Sequence, residues 1–154
     1  MKVIIGADVA GFDLKAAIKK DLGKKGVEFT DVNPDGPILF YEAAKLVSKR
    51  VASKEFERGI IICGTGMGVS IIANKHKGVY AGLVECEYTA RRCKVVNNTN
   101  VLCLGGMVLG EARAVAMVDS WLSASHMEGL DEDIKKIVKN EFQNLVDFEN
   151  EVYG

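Results

Sequence analysis

Short apolar runs alternate with helical patterns from one end of this chain to the other, and that alternation leaves few folds open. Lys2–Gly6, Val27–Val32, the run Gly59-Ile60-Ile61-Ile62 leading to Cys63, Val79–Val84 and Val101–Leu104 read as strands. Between them lie helical segments. Phe12 to about Lys25 carries Leu14, Ile18 and Leu22 at a spacing of four, and Gly26 closes it. After the turn Asn33-Pro34-Asp35-Gly36-Pro37 comes a helix with Ala43, Leu46, Val47 and Val51. Further helices are read after the glycine-rich stretch at 64–68, from about Glu87 to Val96, and from about Glu111 to Ser123. Strands joined by helices of this length need right-handed crossovers and a mostly parallel sheet covered on both faces. The class is therefore α/β with five strands.

The last helix, from about Asp131, is a separate matter. Ile134, Ile137, Val138, Phe142, Leu145 and Val146 form one stripe, and Asp131 caps its start. Five strands with their crossovers already make a closed unit over residues 1–124. The extension 125–154 is therefore predicted to pack on a neighbouring subunit.

Composition narrows the function. A chain of 154 residues fits one domain and buries roughly 70% of its unfolded surface. A net charge of -1 with no basic block argues against nucleic acid. No apolar run approaches the roughly 18 residues of a membrane span, and the start is too short for a signal peptide. Cys63, Cys86, Cys93 and Cys103 form no CxxC pair and have no histidine-rich partner, which argues against a metal site. A cytoplasmic protein with reduced thiols, no cofactor and no membrane partner is the economical reading.

Chemistry concentrates in Cys63-Gly64-Thr65-Gly66-Met67-Gly68. A strand ending in cysteine, then a glycine-rich turn, then a helix sets a thiol beside backbone N–H groups and a positive helix end. Such a place favours thiolate and holds anions. A thiol phosphatase would need arginine six residues after the cysteine, where Val69 stands. The same Val69 denies GxGxxG its third glycine. Proton transfer is the remaining chemistry, with Cys63 as base and the amides of Gly64 to Gly68 stabilising an enediolate. The plain alternative is a buried cysteine ending a strand before a glycine turn.

The chain also resembles the ribose-5-phosphate isomerase B and galactose-6-phosphate isomerase family. Gly6-Ala7-Asp8, Ala10-Gly11-Phe12, Leu14-Lys15, the cysteine loop with Ser70 and Ala73-Asn74-Lys75, Asn97, Asn100-Val101-Leu102 and Leu104-Gly105-Gly106 carry the likeness. It runs from Met1 to about Leu122. It implies a three-layer Rossmann-like sandwich, a homodimer or homotetramer, no metal, and aldose–ketose interconversion of a phosphorylated sugar. By resemblance, Cys63 is the base, and Thr65 with the backbone of Gly64, Gly66, Met67 and Gly68 is the enediolate cradle. Asp8 holds substrate hydroxyls, Tyr41 lines the site, and Asn97 is contributed by a partner subunit. Asp8 also suits a cap for the following helix, and Tyr41 a plain packing role.

The departures from that family shape the substrate expectation. Members acting on ribose carry histidine where this chain has Val9 and Val96, residues associated with ring opening and with the phosphorylated end. Neither His76 nor His126 aligns with them. The C-terminal arginine pair that grips phosphate is absent too, and Lys135, Lys136 and Lys139 stand in the last helix. Two enzymatic readings follow. One is an isomerase of a sugar phosphate that never closes a ring, such as a tetrose 4-phosphate. The other is the cysteine-bearing subunit of a mixed complex, like galactose-6-phosphate isomerase, in which a homologous partner subunit supplies the missing groups. A sugar-phosphate-binding or assembly module is the non-enzymatic alternative.

Overall fold

The computed structural model describes residues 1–154. Five strands form one sheet that is parallel throughout: β1 (Val3–Ala7), β2 (Phe29–Asp31), β3 (Arg58–Cys63), β4 (Ala81–Leu83) and β5 (Val101–Gly105), in the order β2-β1-β3-β5-β4. Six helices connect and flank them: α1 (Phe12–Lys24), α2 (Phe40–Ala52), α3 (Met67–Ala73), α4 (Glu87–Asn97), α5 (Glu111–Leu122) and α6 (Glu132–Tyr153).

Alternation along each strand sorts the core into two layers. Val3, Ile5, Ile60, Ile62, Leu102 and Leu104 face α1 and α5, where Leu14, Ile18, Met117 and Trp121 meet them. Ile4, Ile61, Cys63, Val101 and Cys103 face α2 and α3. The central strands are thus apolar on both faces, which explains their unbroken hydrophobic runs. Trp121 is fully buried, and its indole N–H donates to Thr99 Oγ1 at 2.9 Å.

The two outer strands are shorter than the apolar runs suggest. The run Val27–Val32 pairs with β1 over Phe29–Asp31 only, because Val27 N–H turns back to the Leu22 carbonyl and closes α1. In the run Val79–Val84, Val79 N–H is likewise held by His76 O, and the strand spans Ala81–Leu83.

Helix α6 starts as its sequence predicts: Asp131 Oδ1 accepts from Ile134 N–H at 3.0 Å. Val138 is its one buried residue. Ile134, Ile137, Leu145, Phe148 and Val152 stay exposed, Phe148 at 65%. Its far end is tied down by Glu149, which accepts from Gly78 N–H (2.7 Å) and from the Tyr80 hydroxyl (3.0 Å). No helix is long and apolar enough to cross a membrane.

Candidate active site

The chain leaves β1 toward α1 on one face of the sheet and leaves β3 toward α3 on the other. Between these neighbouring strands opens the crevice where parallel α/β sheets bind ligands. Cys63 ends β3 at its rim, buried. Asp8 follows β1, with its amide on Ile62 O at 3.1 Å.

Three loops crowd this edge, and glycine makes the crowding feasible. A Cβ on Gly106 would lie 2.2 Å from the Ala10 carbonyl oxygen, so the loop after β5 can cross the loop after β1 only without a side chain. Gly66 sits at φ +79°, and a Cβ there would strike Leu83 at 2.5 Å and the Leu104 backbone at 3.0 Å. Gly106 N–H donates to Cys63 O (2.8 Å) and Met107 N–H to Gly64 O (2.9 Å), fixing the cysteine loop to β5.

Within the loop the amides divide into two sets. Gly66 N–H donates to Cys63 Sγ (3.2 Å), and Met67 N–H donates to Thr65 Oγ1 (3.3 Å). The N–H groups of Gly64, Thr65 and Gly68 have no acceptor within the chain. Of the cradle expected over Gly64–Gly68, the Gly66 and Met67 amides serve the loop itself, and those of Gly64, Thr65 and Gly68 are left unpaired within the chain. Behind Cys63 in the same layer, burial pushes the Cys103 thiol up strongly, and the neighbouring Cys63 and Cys93 push it the same way, so it stays a neutral packing group.

The N-cap of α1 is Gly11, with no side-chain bond, so Asp8 is not the helix cap and instead shapes the turn before it. Its Oδ1 accepts from Ala10 and Gly11 N–H, each at 3.0 Å, closing the turn into α1. Its second carboxylate oxygen has no hydrogen bond within the chain and is open to a hydroxyl. Tyr41, in the first turn of α2, is exposed, and the Lys45 ammonium lies 5.7 Å from its ring centre. Two further residues that no sequence pattern singles out join them. Phe40 packs its ring where a Cβ on Gly68 would lie 3.0 Å away, and Met107 places Sδ 3.2 Å from a Cβ on Gly64. Met107 is 79% exposed and Val9 is 77% exposed, so apolar groups rim the crevice on both sides.

Asn97 and Lys135 lie elsewhere in the chain. Helix α4 runs back from the carboxyl end of β4, which leaves Asn97 at the opposite edge of the sheet, one strand length or roughly 17–20 Å away. There Val96 and Asn97 meet α6 across a groove of about 530 Å³ that includes Ile137, Phe142 and Phe148. Lys135 sits in the first turns of the same helix, paired with Glu132 at 2.7 Å. His126 belongs to this edge too, its ring 5.2 Å from Phe142. His76 closes α3, with Nδ1 near Ile72 O and Ala73 O.

Known proteins share this fold. Residues 3–139 match the ribose/galactose isomerase family. The 4-deoxy-4-sulfo-D-erythrose isomerase of Clostridium sp. (strain MSTE9) is 40% identical, over 99% of this chain and 98% of its own. The D-erythrulose-4-phosphate isomerase 2 of Mycolicibacterium smegmatis is 38% identical over 79% of this chain and 84% of its own. Ribose-5-phosphate isomerase B of Clostridium thermocellum superposes with a TM-score of 0.89 at 34% identity, covering 99% of both chains. The chain belongs to the ribose/galactose isomerase family and is a sugar-phosphate isomerase.

Proposed function

We propose that this enzyme interconverts the aldose and ketose forms of a four-carbon sugar bearing an anion on carbon 4, either a phosphate or a sulfonate. One observation carries the reading. Beside Cys63 and the three open amides, the crevice offers Val9, a 77% exposed apolar side chain, where opening a sugar ring needs an acid–base group. In such a tetrose the carbon-4 hydroxyl is esterified or replaced, so no furanose forms and no ring has to be opened. The sulfo-tetrose and tetrose-phosphate activities of the relatives from Clostridium sp. and M. smegmatis support the same class.

The proposed chemistry needs one base and one oxyanion site. As thiolate, Cys63 takes the proton from carbon 2 of the aldose. The C–H electrons become the C1–C2 double bond, and the carbonyl electrons move onto oxygen 1. The Gly64, Thr65 and Gly68 amides stabilise that developing charge, and Thr65, whose hydroxyl hydrogen is uncommitted, is placed to aid proton exchange between oxygens 1 and 2. Cys63 then returns its proton to carbon 1, giving the ketose. Asp8 orients hydroxyls through its open oxygen.

The test is to assay the purified chain on erythrulose 4-phosphate, 4-deoxy-4-sulfoerythrulose, ribulose 5-phosphate and ribose 5-phosphate. Turnover of either tetrose with little on ribose 5-phosphate is expected. Efficient use of ribose 5-phosphate with none of the tetroses would refute the proposal. Inactivity alone, restored by a co-expressed homologous chain, would replace it with the mixed complex.

A further inference from the structure

Four polar or charged side chains are buried in this chain, and two of them, Lys15 and Asn33, touch each other directly behind the crevice. Lys15 is 1% exposed and Asn33 is 6% exposed. Asn33 stands where the edge strand β2 ends and the chain turns away from β1. Its amide group takes over the pairing that the backbone gives up: Oδ1 accepts from Ala7 N–H at 3.2 Å, and Nδ2 donates to Ala7 O at 2.8 Å. Ala7 immediately precedes Asp8. The same Nδ2 donates to Gly36 O at 2.8 Å, in the turn that leads to Phe40 and Tyr41.

The Lys15 ammonium locks this amide from α1. It donates to Asn33 O (2.8 Å), Asn33 Oδ1 (3.0 Å) and Asp31 Oδ1 (2.8 Å), while Lys19 holds the other Asp31 oxygen at 2.6 Å. A buried ammonium is expensive to desolvate, and well-packed apolar groups of similar volume often stabilise a core as well or better. Stability alone is therefore a weak account of this cluster. The bonds of its Asn33 amide go to Ala7, beside Asp8, and to Gly36, in the turn before Phe40 and Tyr41.

We propose that Asn33, clamped by Lys15, is a positioning residue that fixes Asp8 and the turn before Tyr41 relative to Cys63. The inference rests on the substrate role given to Asp8 above. The clamp itself is buried. It sets where the Asp8 carboxylate sits at the end of β1, and a misplacement of about 1 Å in such a group costs on the order of 100-fold in rate.

A double-mutant cycle with Asp8 tests it, scored as kcat/KM per folded protein on whichever tetrose substrate the enzyme turns over best. Asn33→Ala is expected to lower kcat/KM about 10- to 100-fold in the native background, and less than about 3-fold once Asp8→Ala is present. Asn33→Asp keeps the acceptor for Ala7 and Lys15 but loses both Nδ2 donations. It guards against a folding failure of the alanine variant, and its smaller loss should show the same coupling to Asp8. Equal losses in both backgrounds would overturn the positioning role, as would a native rate in Asn33→Asp. If Asp8→Ala alone keeps the native rate, the role of Asp8 itself is what fails.

Discussion

The two edges of the sheet are built to different degrees of completion. At the carboxyl edge, one chain supplies the thiol, the open amides, the carboxylate and the glycine crossings that hold them together. At the amino edge, Val96, Asn97, Lys135 and His126 gather around a groove along α6 whose apolar residues remain exposed. The first arrangement is assembled from one chain. The second leaves the apolar stripe of α6 uncovered, the face expected from the sequence to pack on a neighbouring subunit. If a second copy covers that stripe, one chain would contribute the chemistry and its neighbour the wall of the site.

The largest effect should come from the complete edge. Cys63→Ala removes the proposed base, and kcat should fall about 1000-fold or more with substrate affinity nearly kept. A steady-state assay checks this, and a variant within about 10-fold of native would move the base elsewhere. The unfinished edge should respond through assembly. Phe148→Asp places a charge in the middle of the α6 stripe, so sedimentation should show a smaller species, with activity lost in parallel. A fully active monomer would break the comparison. A sharper probe mixes inactive chains: Cys63→Ala with Asn97→Ala. If each site takes Cys63 from one subunit and Asn97 from the other, half the random dimers carry one intact site, and about a quarter of native activity returns. Sites built within one chain would stay dead.

How much of this was legible in the sequence differs between the edges for physical reasons. The strand–helix alternation and the cysteine loop are local patterns, so the parallel fold and the thiol beside amides follow from residue order alone. The ends of β2 and β4 do not, because pairing stops where other groups capture the amides of Val27 and Val79. Asn33 leaves no trace either: its contact with Ala7 spans 26 residues and joins a side chain to backbone. No sequence pattern singles out Phe40 or Met107, and both are exposed in the fold. Asn97 fits the family pattern by position and Lys135 stands in the helix that lacks the family's arginines, yet the distance of Asn97 from Cys63 within one chain appears only once α4 is seen to run back along the sheet.

The smallest effect probes the junction that carries the unfinished edge. His126 lies against Phe142 of α6, and its Nε2 is buried with no hydrogen-bond partner. Burial holds its pKa below the ordinary value of 6.5, and the nearby Lys94 ammonium adds to this, while a backbone contact at Val96 opposes it. Lys94 is itself drawn down to about 8, mainly by burial and next by Arg58. The sign follows from proton counting. Between the folded and unfolded values of His126, the unfolded chain holds the extra proton, so stability falls as the pH drops through that window. The loss is complete below the folded value. His126→Leu removes the titration, so its urea midpoint should decline less between pH 7 and pH 5 than that of the native chain. The difference should be modest, because the ring is partly exposed. Parallel midpoints for the two proteins across that range would mean that protonation of this histidine does not loosen the contact between α4 and α6.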